Sequence, residues 1–450
     1  MDTNTKKGYD LINRRRKQWV NEEEVRHAWM KGLEEALQID LDAERAKRDS
    51  SYNNVVIEFK GPGLFKGSET SPKFIEATDG RLLKYIPRLA AEQGLDEKDY
   101  IGIAIDGDHV GFAQVQDGKI VHQPLMPFST IAFQMVVDAL RANFRRAITS
   151  ENLAEDFGHL SETGREFMQE LSNALADALG QPGNRKIKML FEEWATLYGQ
   201  AADLSIQQRK KINGSLGFDF AGPAAIDLPA KLFVTHTFHS LLMKLIAAEI
   251  VAAHGMASST SLIYELLALG SDEALIEALR SDVENGGFFN AVGLHGFVEE
   301  AIFSWYLDAT TKKAIRTSMC LAIRTLLAQL SVYRFDTIKK TGRSRDVLRD
   351  FYQDLVPEEL RKSLGEFYTP DWLVEHSVAK LGYKRDKWLA ARLLDPTCGS
   401  GSFLLEAIEQ KRRAALTAGW TAEQTVDMLT TTVWGFDLNP LAVQSSRVNF

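Results

Sequence analysis

The sequence predicts a multidomain α/β chain, and three patterns carry that prediction. Residues 1–150 alternate helix and strand signals, and residues 151–356 show long 3.6-residue periodicity with few β-branched runs. Residues 357–450 hold a buried-strand pattern that runs into an acidic residue, a glycine-rich turn and an amphipathic helix. The expected fold is therefore a mixed α/β domain, an all-helical connector and the start of a Rossmann-like domain.

In the first segment a helix is expected over 22–37 and a strand in YNNVVIEFKG (52–61). YIGIAIDGDHVGFAQVQDGKIVHQPL (100–125) then reads as three strands, because Asp106-Gly107 and Asp117-Gly118 are hairpin signals between apolar β-branched runs. In the connector, EEAIFSWYLDATTKKAIRTSMCLAIRTLLAQLSVYRF (299–335) typifies the helical period. Loops are expected near 180–184, 213–229 and 285–293, where glycine, proline and asparagine gather. No internal repeat or low-complexity tract interrupts the order.

At 450 residues, 45% of them hydrophobic and 12 of them proline, the chain can form two to four domains with their own cores. Cys320 and Cys398 fit no paired or metal-binding spacing, which points to a reducing cytoplasm without a disulfide framework. The start, MDTNTKKGYDLINRRRKQW, lacks the apolar core of a signal peptide, and the greasiest stretch, HSLLMKLIAAEIVAAHG (239–255), is broken by Lys244 and Glu249. A cytoplasmic protein without a membrane span is the expectation. The net charge of −8 and pI near 5.7 are not those of a basic nucleic-acid binder, yet short basic clusters at 14–17, 141–146, 209–211 and 339–345 are of the kind a phosphate backbone meets. His236 and His239 share one helical face, but with no third ligand and no HExxH pattern they read as core or capping residues.

The third segment carries the chemistry. Leu393 and Leu394 finish a strand that leaves Asp395 at the carboxyl edge of a parallel sheet, where open α/β folds bind ligands. Gly399 and Gly401 let the backbone approach a ligand without a Cβ. A helix starting near Ser402 offers free N–H groups to a carboxylate. The second strand, VWGFD (433–437), ends at Asp437, well beyond the roughly 20-residue spacing of a minimal unit, so an additional helix is expected over 422–431. The dinucleotide pattern GxGxxG is not met.

GEFYTP (365–370), DPTCGSGSF (395–403) and GFDLNP (435–440), in that order, resemble motifs X, I and II of the gamma-type N6-adenine DNA methyltransferases of restriction–modification systems. The resemblance implies S-adenosylmethionine as cofactor and double-stranded DNA as partner. It implies that Tyr368, Thr369 and Pro370 hold the methionine end, that the loop with Asp395, Cys398, Gly399 and Gly401 surrounds it, that Phe403 packs nearby, and that Asp437 grips the ribose. Cys398 is read as a small residue packing under the cofactor, not as a nucleophile. The (N/D)PP(Y/F) loop that such enzymes use on the flipped adenine is not in the sequence, since Asn439-Pro440 is followed by Leu441. The expectation is that the natural protein continues past Phe450, because a complete α/β domain takes about 100–150 residues or more.

Glu58 and Lys60 lie two apart on one strand and share a face. With Asp49 a short hairpin earlier, they resemble the PD-(D/E)xK nuclease core, and RDSSYNNVVIEFK is similar to the strand that opens the nuclease domain of restriction enzymes fused to methyltransferases. The resemblance implies that Asp49 and Glu58 bind Mg²⁺ and that Lys60 positions the attacking water or stabilises charge on the phosphate. It also implies a further acid from the preceding helix, among Glu22, Glu23 and Glu24, with Glu23 the expectation. Where the family commonly has a glutamine after the active-site strand, GRLLKYI has Arg81 or Lys84.

The whole chain thus resembles type IIG single-chain enzymes: a nuclease-like domain at 1–150, a helical connector at 151–356 and the first part of an adenine methyltransferase at 357–450. Two other readings stay open. One is a non-catalytic DNA- or partner-binding subunit that keeps the pocket as a sensor; the other is a defence methyltransferase whose N-terminal domain is only a scaffold.

Overall fold

The computed structural model describes residues 3–37, 50–52, 54–93, 96–116, 118–141, 146–199, 206–257, 261–298, 301–335 and 369–450. Asp49 and Tyr368, two of the expected site residues, lie outside them. The chain divides into two compact units. One comprises Met1–Ala147, Glu249–Ala278 and Cys320–Asp336, and the other Ile148–Ala248, Leu279–Met319 and Thr337–Phe450.

The first unit begins with helices α1 (Thr3–Arg15) and α2 (Glu22–Leu37), which cross closely: a Cβ on Gly8 would lie 2.2 Å from the Gly32 carbonyl oxygen. Strand β1 (Ser50–Tyr52) pairs antiparallel with β2 (Val55–Phe59), and β2 pairs parallel with β3 (Ile101–Ile105). A parallel pair needs a crossover. It is supplied by α3 (Pro72–Ile75), a π-helical turn (Glu76–Leu82) and α4 (Leu83–Gln93). Strands β4 (His109–Gln116) and β5 (Lys119–His122) continue the sheet as the expected antiparallel meander, with β6 (Met126–Pro127) also on β4. Gly107 and Gly118 take positive φ values of 82° and 70° at its turns, which is why glycine stands there.

Every residue of β2 and β3 is buried, and apart from Glu58 both strands are apolar throughout. The crossover packs Phe74, Leu82 and Ile86 against Val56, Ala104 and Ala113. After β6, helix α5 (Thr130–Arg141) brings Phe133 to Tyr9 and Trp29, and β7 (Arg146–Ala147) pairs parallel with residues 333–334 of the same unit.

Beyond β7 the chain is helical: α6 (Ser150–Phe157), α7 (Glu162–Gly180), α8 (Arg185–Gly199), α9 (Ile206–Ser215), α10 (Asp227–Ala253), α11 (Leu262–Ala268), α12 (Asp272–Ala278), α13 (Gly287–Ala291), α14 (Trp305–Ala309) and α15 (Lys313–Leu330), before β8 (Tyr333–Arg334). The expected loop at 180–184 separates α7 from α8. The one at 213–229 is shorter than expected, because Pro229 sits in the first turn of α10, where its missing N–H leaves no bond unmade. A short helix, α13, forms within 285–293.

In the second unit, α10 is buried almost all round, and several of its polar groups are paired. Lys244 meets Glu284 at 2.5 Å, Glu284 also accepts from the Tyr306 hydroxyl at 2.9 Å, and Trp305 donates to Thr237 at 2.8 Å. Burial drags His236 and His239 down to pKa values of about 3, so both are neutral core residues at physiological pH. No helix among the described residues is long and apolar enough to cross a membrane.

The same unit ends in an α/β segment: α16 (Asp371–Ala379), α17 (Arg385–Ala390), β9 (Leu393–Asp395), α18 (Ser402–Thr417), α19 (Ala422–Thr432), β10 (Val433–Gly435) and α20 (Pro440–Asn449). The expected helix starts are met. α19, the extra helix, opens on a Thr421/Gln424 capping box that the sequence displays as T-x-x-Q. β9 and β10 pair in parallel, with Leu393 opposite Val433 and Asp395 opposite Gly435.

Candidate functional site

The parallel register of β9 and β10 brings their carboxyl ends to one edge, and the loops that follow are laced together there. Phe436 N–H donates to the Asp395 carbonyl and Cys398 N–H to the Phe436 carbonyl, both at 2.9 Å. Asp437 closes the turn: its Oδ2 accepts from Gly399 N–H at 2.9 Å and its Oδ1 from Asn439 N–H at 2.9 Å. Asp395 Oδ1 accepts from Thr397 N–H at 3.1 Å. Both carboxylates are half-buried, and each ionised oxygen keeps a second lone pair.

The two glycines of the turn differ in what they permit. Gly399, at φ 55°, has open space where a Cβ would stand, whereas a Cβ on Gly401, at φ 93°, would lie 2.7 Å from Ser446 Oγ. Gly401 is the N-cap of α18, so the N-terminus of that helix, with its positive dipole end, starts where the turn ends. An acceptor pair for ribose hydroxyls, a glycine turn open on one side and a helix N-terminus for a carboxylate are the donor and acceptor set that an S-adenosyl ligand asks for. The residues present fit it.

Neighbouring residues hold this edge in shape. Cys398 is buried with Leu404 and Val433, and burial pushes its thiol above the ordinary value, in keeping with a packing residue. Phe403 packs with Val374, Val378, Trp388 and Ala414, so the second residue of α18 anchors α16, whose N-cap is Pro370. Thr369 precedes that cap. Residues that motif reading passed over complete the edge. Gly435 leaves no room for a side chain, since a Cβ there would lie 2.6 Å from Leu404 Cδ1 and 3.0 Å from Cys398. Asn439 caps α20 by accepting from Leu441 N–H at 3.0 Å, a role that Asn before Pro signals in the sequence.

In the first unit, Glu58 of β2 and Lys60, the residue just past the end of that strand, lie side by side and almost fully buried. Lys60 Nζ donates to Glu58 Oε1 at 2.6 Å and to the Phe59 carbonyl at 3.1 Å. Around this pair stand Glu76 from the π-turn, 3.8 Å from Lys60, Glu22 from the start of α2, 4.0 Å from it, and Arg81, 3.9 Å from Glu58. Burial works against the ammonium, but the hydrogen bond and charge of Glu58, helped by Glu22 and Glu76, hold its pKa above the ordinary lysine value. Glu22, not Glu23, is therefore the α2 acid at this cluster. Glu23 instead pairs with Arg26 at 2.7 Å, and Glu24 accepts from Val20 N–H at 2.8 Å. Asp106, at the end of β3, is buried and spends its oxygens on the backbone amides of Phe65, Asp108 and His109. Among the described residues no group of three or more His, Cys, Asp or Glu side chains is set to hold a metal ion.

Known proteins bear on the C-terminal part. A solved structure titled "cryoEM structure DrdV-DNA complex" aligns over 98% of this chain and 38% of its own at 12% identity, but its TM-score of 0.23 carries no argument about fold. Over 110 residues, 22% of this chain, the sequence is 34% identical to an adenine-specific methyltransferase PglX of Streptomyces coelicolor, and the match spans 9% of that relative's length. Residues 343–450 match the N-6 DNA Methylase family, the stretch in which β9, the glycine turn and β10 lie.

Proposed function

We propose that this chain contributes the cofactor-binding portion of an S-adenosylmethionine-dependent N6-adenine DNA methyltransferase acting in restriction–modification or phage defence. The observation that carries the reading is the closure of the glycine turn by Asp437 at the carboxyl edge of a parallel strand pair. The match of residues 343–450 to N-6 DNA methylases and the likeness to an adenine-specific methyltransferase support it. Asp437 takes the ribose hydroxyls. Asp395, Gly399, Gly401 and the start of α18 surround the methionine end, with Thr369 and Pro370 beside it and Tyr368 assigned to the same end by the resemblance of GEFYTP alone, while Cys398 and Phe403 pack the turn from behind. When bound, S-adenosylmethionine supplies an electrophilic methyl group on a sulfonium. The groups that receive the adenine amine's hydrogens are not among these residues, because the chain has no (N/D)PP(Y/F) loop. Calorimetry with S-adenosylmethionine tests the reading: one site per chain is expected, and an absence of binding by folded protein would refute it.

For residues 1–150 the proposed role is a Mg²⁺-dependent DNA endonuclease, with Asp49 and Glu58 as metal ligands and Lys60 beside the attacked phosphate, joined through the helical connector at 151–356 to the methyltransferase part. A buried acid–lysine pair flanked by Glu22 and Glu76 supports it. The scaffold reading draws on the same pair, since at 2.6 Å Glu58 and Lys60 neutralise each other. Cleavage of unmodified double-stranded DNA with and without Mg²⁺ separates the two: Lys60→Ala abolishes cutting under the nuclease reading, and wild-type protein that never cuts leaves the scaffold.

A further inference from the structure

Helix α20 does more than follow β10. Its last turn reaches the glycine loop, where Asn449 Nδ2 donates to the carbonyl of Ser400, the residue between Gly399 and Gly401, at 2.9 Å. Ser446, one turn earlier, fills the space beside Gly401. The preceding residues of α20 grip α10. Gln444 is bound to Ser240 at two points, accepting from its hydroxyl at 2.7 Å and donating to its carbonyl at 3.0 Å, and Ser445 Oγ lies 3.2 Å from Met243 Sδ. Gln444, Ser445 and Ser240 are 5%, 4% and 0% exposed.

A two-point amide bond to one helical residue fixes both the rotation and the sliding of α20 along α10, and a buried polar group cannot let go without losing its only compensation for lost water. The orientation of the Ser400 carbonyl, and hence of the glycine amides on either side of it, is thereby referred to α10, some 200 residues earlier in the chain. We propose that Gln444 and Asn449 are positioning residues for the cofactor turn, and that α20 transmits the placement of α10 to it. The inference rests on the reading of that turn as the S-adenosylmethionine site.

The test is calorimetry with S-adenosylmethionine on the full 450-residue chain, with thermal unfolding as the folding control. Asn449→Asp is nearly isosteric but turns a donor into a carboxylate that faces the Ser400 carbonyl. At neutral pH it should bind about tenfold more weakly. As the pH falls toward the carboxyl range the protonated acid donates again, so the variant-to-wild-type ratio should recover, whereas Asn449→Ala should show no recovery. The charged and ionisable groups near the turn, Asp395, Asp437, Cys398 and Arg447, are the same in all three proteins, so their contributions cancel in the ratio. Ser240→Ala, which removes one hydroxyl from α10, should weaken binding about threefold. If wild type binds and folded Asn449→Asp and Ser240→Ala bind equally well, the proposal is overturned; if wild type itself fails to bind, the cofactor reading falls and the proposal with it.

Discussion

The two candidate sites satisfy their carboxylates in opposite ways. In the first unit Glu58 is locked to a buried ammonium, with Glu22 and Glu76 adding charge around the same lysine. In the second, the bonds to Asp395 and Asp437 come from backbone amides, and both side chains remain half-exposed. An amide fixes a carboxylate without neutralising it, so its remaining lone pairs stay available to a ligand's hydroxyls. An ammonium at 2.6 Å cancels the charge, and a cation arriving at Glu58 must compete with Lys60 for it. In the first site the carboxylate's charge is met by a side chain; in the second it is met by amides alone.

The sharpest way to break this comparison is Lys60→Met. If the pair is closed, removing the lysine strands a buried carboxylate, and urea unfolding should show a loss of about 3–5 kcal/mol, most of it recovered in the Glu58→Gln/Lys60→Met double variant. A loss below about 1 kcal/mol would mean that Glu58 is solvated and free for other partners.

Asp437→Ala tests the open site. It removes two charge-assisted bonds that hold the turn as well as the acceptors offered to the ribose, so affinity for S-adenosylmethionine should fall about a hundredfold by calorimetry. Asp437→Asn keeps one acceptor and should fall between. Equal affinity in all three would remove the second site from the comparison.

How far each site was legible follows from what holds it. The start of α18 after the glycines, the extra helix α19, the three-strand meander and the extent of α2 all rest on signals local in sequence, and each appears where periodicity and turn chemistry put it. The cluster around Lys60 was only half legible. Choosing Glu22 over Glu23 depends on helix phase at a cap, and Glu76 reaches Lys60 from a π-turn that no apolar period announces. Gln444 was silent for a different reason: its partner Ser240 lies 204 positions away, and one buried amide leaves no pattern in the letters around it. The division into units has the same origin, since Glu249–Ala278 and Cys320–Asp336 join Met1–Ala147 through packing between distant segments.

Gly435→Ala probes how tightly the open site is backed. The new Cβ would meet the tip of Leu404 at 2.6 Å and Cys398 at 3.0 Å, so the unit should lose about 1–3 kcal/mol in urea unfolding. If Gly435→Ala costs nothing, the packing behind the turn is loose, and the rigidity ascribed to the amide-held site is misplaced.

A second buried lysine gives the smallest effect and the clearest sign. Lys411 of α18 is fully buried, but its Nζ faces the carbonyls of Trp388 and Ala391 at 2.9 and 2.7 Å, with no carboxylate among its bonds. Desolvation therefore lowers its pKa from 10.5, while Lys60, among carboxylates, is held above that value. Between the lowered folded value and 10.5 the unfolded chain binds more protons at Lys411, so wild type gains stability as pH rises. Above 10.5 the folded chain binds more protons at Lys60, so wild type loses the stability that this lysine contributes at lower pH. Urea unfolding at a series of alkaline pH values, each referenced to the Met variant so that other titrations cancel, should show wild type improving against Lys411→Met and declining against Lys60→Met. Parallel trends would mean that the two lysines see the same surroundings, and the distinction between a charge held by charge and one held by backbone dipoles would fail.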